Sequence, residues 1–210
     1  MPTRRATALL LLLTVLTGCA REGGQETEPG SVSVPSRTTA APAPSADPTD
    51  SAWVQLMIPM DEQAVALLDM AAEKPAGPRL RAWAARLRTD QVAELAELRG
   101  LRTRMGLPDT DLHEGHDMPG MVTAEDLRNA RASGGAAFDR LLVTQIHDHL
   151  RQSEQVSRSE TTAGSGAEAR ARARELVAVR GKQLASLTSL CAGRAADVPE
   201  PFACPSDHPV

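Results

Sequence analysis

The chain has 210 residues, enough for one domain, and carries 23 Lys and Arg against 27 Asp and Glu, a formal charge of -4. That balance excludes nucleic acid as a partner, because phosphate binding needs grouped basic residues. With two Trp, two Phe and no Tyr, there are too few aromatic faces to stack bases or sugars. No glycine-rich phosphate loop, nucleophile elbow or zinc-protease helix motif occurs, so the sequence does not read as an enzyme.

At the N-terminus, Arg4 and Arg5 precede an apolar run over residues 6–16. The run is short of the roughly 20 apolar residues needed to span a bilayer, and its flanks are those of a secretory signal. It closes on Leu16-Thr17-Gly18-Cys19, which resembles the lipobox of bacterial lipoproteins. The resemblance implies that residues 1–18 are a signal peptide and that the Cys19 thiol carries a diacylglyceryl group. Membrane lipid would then be the partner at Cys19, and the outer face of the bacterial cytoplasmic membrane the location. Residues 19–49 are rich in Gly, Ser, Thr, Pro and Ala and predict a disordered tether.

Four long helical patterns follow, over about 51–73, 79–105, 136–161 and 167–191. The first carries Val54, Met57, Ile58, Asp61, Ala64, Val65, Leu68 and Ala71 at helical spacing, and Pro75, Gly77 and Pro78 end it. The second aligns Leu80, Trp83, Leu87, Gln91, Glu94, Leu95, Leu98 and Leu101, and stops at Gly106 and Pro108. Thr123, with Asp126 three residues on, predicts the cap of a short linker helix. The third pattern carries Phe138, Leu142, Ile146 and His149; the fourth carries Ala173, Leu176, Arg180, Leu184 and Leu187. A tail over 192–210 reads as irregular, and no convincing strand run is present.

The two halves, 50–106 and 123–191, repeat without a gap: a shift of 89 positions places Met57 on Ile146, Ala82 on Ala171, Leu95 on Leu184 and Leu98 on Leu187. Each half is a helix hairpin that cannot bury its apolar face alone. Two such hairpins predict an all-α four-helix bundle over 50–191.

Leu56-Met57-Ile58-Pro59, Gln63-Ala64-Val65 and Met70-Ala71 resemble an M-I-x-H-H-x-x-A-x-x-M-A signature, and Gln91-x-x-Glu94 a following Q-x-x-E. Met118-Pro119-Gly120-Met121 and Phe138-Asp139-Arg140-Leu141 resemble the linker and second-half motifs of the same family. This is the family known as domain of unknown function 305. The resemblance implies a ferritin-like bundle, secreted or periplasmic, with relatives associated with copper or other metals. The chain departs from the signature where a metal would need it. Met60 and Asp61 replace one histidine pair, only His149 survives of the second, beside Leu150, and Arg180-x-x-Gln183 replaces the second Q-x-x-E.

Asp61, Gln91, Glu94, His149, Arg180 and Gln183 all fall on the buried stripes. Buried ions are costly unless paired, and a guanidinium offers a planar fork suited to carboxylates. The expectation is a buried polar layer in which Arg180 replaces a metal as the positive centre.

Metal ligation elsewhere would use His113, His116, Met118 and Met121 of the linker, with His149 and Met60, since imidazole and thioether together suit copper. No cofactor is certain on these residues; copper is the candidate. His147 lies about 200 degrees from His149 on a helix and reads as a surface residue. With Cys19 lipidated, Cys191 and Cys204 remain as a pair expected to oxidise outside the cell. The favoured function is a lipid-anchored, non-catalytic binding or structural module, with copper or other transition-metal binding as the alternative.

Overall fold

A computed structural model describes residues 46–74, 77–113 and 117–195, the last three by backbone alone. Cys19, His116 and Cys204, with the signal, most of the tether and the end of the tail, lie outside the described residues. Among the described residues the chain is all-α: α1 Pro48–Glu73, α2 Pro78–Arg104, α3 Ala124–Ala132, α4 Gly135–Ala163 and α5 Ala167–Ala195. No helix among these residues is long and apolar enough to cross a membrane.

The ends of the helices follow local chemistry. Helix α1 starts inside the stretch assigned to the tether, because Asp47 accepts from the Thr49 and Asp50 amides and Pro48 occupies the first turn. Helix α3 begins with the expected box, Thr123 and Asp126 each accepting from the other's backbone. Helix α5 continues to Ala195, beyond the expected stop near Cys191. Helices α2 and α5 follow glycines that lack a capping side chain, Gly77 and Gly166. Their caps come from the opposite half. Asp50 accepts from Ser165 and Gly166 at 3.0 and 2.7 Å, and Asp139 accepts from Gly77 at 3.4 Å. Asp50 and Asp139 are related by the same 89-residue shift that relates Gly77 and Gly166.

Helix α1 packs on α2 and α4 on α5, and α1 against α4 joins the hairpins. The apolar core forms two clusters. One gathers Leu68, Leu80, Phe138, Ile146 and Leu187; the other gathers Trp53, Met57, Leu98, Met121 and Leu176. Asp61, Gln91, Glu94, Arg180 and Gln183 fall between them along the helices, so a polar layer divides the core near mid-height.

Candidate functional site: a buried arginine layer

Each of the four long helices contributes to this layer: Asp61 from α1, Gln91 and Glu94 from α2, His149 and Ser153 from α4, Arg180 and Gln183 from α5. Arg180 is fully buried, as are Asp61, Gln91, His149 and Ser153. Its five N–H groups all find acceptors. Nη1 donates to Glu94 Oε2 at 2.9 Å and Gln183 Oε1 at 3.0 Å. Nη2 donates to Glu94 Oε1 at 2.5 Å and Asp61 Oδ1 at 3.1 Å, and Nε to Ser153 Oγ at 2.7 Å. The Glu94 contact is the two-pronged fork that gives guanidinium its geometric selectivity.

Asp61 is held well above the usual carboxylate range, first by burial and then by the Glu94 charge, with Arg180 opposing. Its Oδ2 receives no hydrogen bond, so nothing on that side offsets the burial of a charge. His149 is drawn well below the usual imidazole range by burial and then by the Arg180 charge, against the pull of the Gly120 backbone. Its Nε2 lies 2.9 Å from Gln91 Nε2, so as placed it accepts from the amide and the ring is neutral. Arg180 thus faces both acidic side chains, an arrangement that offsets the cost of burying a cation.

Among the described residues, the methionine candidates lie in or against the apolar core. Met60 is in the core, and Met118 and Met121 pack onto the cluster that contains it. Methionine is well suited to such gap filling. The Met121 amide donates to the Met118 carbonyl at 3.0 Å. Gly120 between them has φ 73°, and a Cβ there would sit 2.3 Å from that of Gln152, so the turn is pressed onto α4. His113 lies in the loop, half-buried, its amide on Asp111. Among the described residues no three His, Cys, Asp or Glu side chains are placed to hold a metal ion. His147, expected at the surface, is only 11% exposed, beside Asp148.

Ser153 was not anticipated. Its signal is the repeat: where Gln91 becomes Arg180, Ala64 becomes Ser153, so the acceptor and the arginine appear together.

Residues 50–191 match the family described as "Domain of unknown function (DUF305)". The chain belongs to the DUF305 family. Two DUF305 structures share its fold. One, from Streptomyces coelicolor, is 17% identical with a TM-score of 0.62, over 70% of this chain and 94% of that one. The other, a fragment from Deinococcus radiodurans, is 17% identical with a TM-score of 0.63, over 72% and 99%. At this identity the likeness speaks for the fold. No curated protein matches the chain. In this DUF305 bundle, a metal ion in the mid-height layer would meet a guanidinium already holding both acidic side chains, so the residues present do not fit one there.

Proposed function

We propose that this DUF305 protein is an extracytoplasmic lipoprotein acting as a non-catalytic binding or structural module. In this reading its metal-type layer has been converted to an internal salt bridge. The observation that carries it is the complete engagement of Arg180 by Glu94, Asp61, Gln183 and Ser153. A fixed cation in that position repels a second one and needs no exchange with solvent. The Streptomyces coelicolor relative is designated a secreted protein, which agrees with the signal-like N-terminus and lipobox of this chain. A lipid on Cys19 would hold the bundle at the membrane through the residues that precede α1. The alternative, copper binding, would draw Met118 and Met121 from the core and place His113 and His116 beside them.

Two measurements test the reading. Mass spectrometry of the membrane-extracted protein should find a diacylglyceryl group on Cys19, and Cys19→Ala should release the protein from the membrane. Titration with Cu(I) and Cu(II) should show no tight site. A stoichiometric site lost in His113→Ala with His116→Ala would replace this reading by the copper one.

A further inference from the structure

A second buried acidic group lies away from this layer, where α1 begins. Glu160, in the last turn of α4, is 1% exposed, and neither of its carboxyl oxygens receives a hydrogen bond. A Cβ placed on Gly164 would be 2.2 Å from Glu160 Oε1 and 2.6 Å from Asp50 Oδ1. The two carboxyls therefore converge on the space left open by that glycine. Asp50, 2% exposed, is committed as an acceptor: Oδ1 takes the Ser165 amide and Oδ2 the Gly166 amide, at the start of α5. Both of its oxygens are engaged by backbone donors. Glu160 is thus the member left to carry a proton and offer it to Asp50.

We infer that Glu160 and Asp50 share one proton and so clasp the first turn of α1 to the turn between α4 and α5, a contact that opens as the medium becomes alkaline. The charged groups facing Glu160 are Asp50 and Asp47 from the start of α1 and Arg170 from α5; the first two disfavour its ionisation and Arg170 favours it. Burial is the largest influence, and together they push Glu160 up to about 8. The internal repeat shows that the cap itself does not need this acid. Asp139 caps Gly77 in the other half, where the residue equivalent to Glu160 is Ala71. The extra carboxyl adds pH sensitivity to a contact that already exists. Ionised Glu160 would be held against the Asp50 carboxyl in a buried space, and release of α1's first turn lets water reach both. Asp47 accepts from the Ser165 hydroxyl at 2.9 Å, so release would free this residue too and lengthen the segment preceding the bundle. The inference holds whether or not Cys19 is lipidated.

The sign is that of an acid raised by folding: stability is complete in the ordinary glutamate range and lost as pH climbs towards about 8. Amide hydrogen exchange at Ser165 and Gly166, measured by NMR on the whole purified chain with a chelator present, reads the clasp directly. Corrected for intrinsic exchange, protection should fall by up to about tenfold per pH unit over this range, then level off. Glu160→Gln should flatten the profile. Glu160→Ala, which copies the other half, should also flatten it and keeps the test open if the glutamine variant folds poorly. A flat wild-type profile, or the same fall in both variants, overturns the clasp. So does a wild-type profile flattened by saturating Ca2+ without chelator, which would make the pair a cation site.

Discussion

Arg180 and Glu94 meet as fork and carboxylate across the bundle, Nη1 on Oε2 at 2.9 Å and Nη2 on Oε1 at 2.5 Å, with 0% and 5% exposure. Removing one partner of such a pair strands the other. Arg180→Met should therefore cost about 3–5 kcal/mol at neutral pH. Denaturant melts measure this, and an unchanged midpoint would show that the pairing does not hold. The loss should shrink as pH falls from neutral towards about 4, because a stranded, buried carboxyl takes up a proton more readily in the folded chain than in the unfolded one. Replacing Asp61, Glu94 and Arg180 together by well-packed apolar residues should restore stability or exceed the wild type, as buried ion networks often allow.

His149 governs the acid side of the stability curve. Its folded value lies well below the ordinary 6.5, because burial and Arg180 oppose a second cation. A depressed value means that the unfolded chain binds the proton first. Stability is then complete above about 6.5 and falls with pH below it, by up to about 1.4 kcal/mol per unit, until the folded imidazole also titrates. His149→Gln should flatten that limb below about pH 6.5 while leaving the alkaline side unchanged. An acid limb as steep as that of the wild type would assign the effect to other groups.

Two glycines with similar backbones should respond differently to alanine. Gly106 has φ 67° and open space around a Cβ, whereas Gly120 has φ 73° and a Cβ there would overlap Gln152. Gly106→Ala bears only the left-handed backbone penalty, about 1 kcal/mol. Gly120→Ala must in addition lift the Met118–Met121 turn from α4, so a loss of about 2–4 kcal/mol is expected. Equal losses would mean that the turn moves without resistance. The same pair tests whether Met118 and Met121 are packing residues: if they are, the Gly120 variant should also expose apolar surface to a dye.

The helices were legible from their apolar spacing and the layer from the polar residues on those stripes, while the ungapped 89-residue repeat, which aligns Gln91 with Arg180 and Met60 with His149, paired the hairpins. Periodicity placed the stripe of α2 correctly, since Leu80 through Leu101 on that face are buried. It missed Leu67 of α1 and left Val65 too deep, because α1 faces both α2 and α4 and buries a wider arc than one stripe. The caps at Asp50 and Asp139 escaped notice because their acceptors act between helices. A search along one helix finds only local caps. Glu160 was equally hidden: a glutamate near a helix end ordinarily reads as solvated, and only Asp50 and Gly164 around it make it otherwise.

The last helix carries the remaining prediction. Cys191 is 7% exposed in the cluster with Leu187 and Phe138, so its side chain points into the bundle and not towards solvent. A partner from the tail must therefore come to the core end of α5, and Cys204 is the cysteine that the tail supplies. Mass spectrometry without reductant should recover the Cys191–Cys204 peptide pair. Closing a loop of about 15 residues contributes about 3 kcal/mol by restricting the unfolded chain. Reductant should lower the unfolding midpoint accordingly, and Cys204→Ser should show the same lower midpoint with no further response to reductant. If Cys204→Ser instead remains as stable as the wild type, the tail is not stapled and Cys191 serves only as a small apolar side chain in the core.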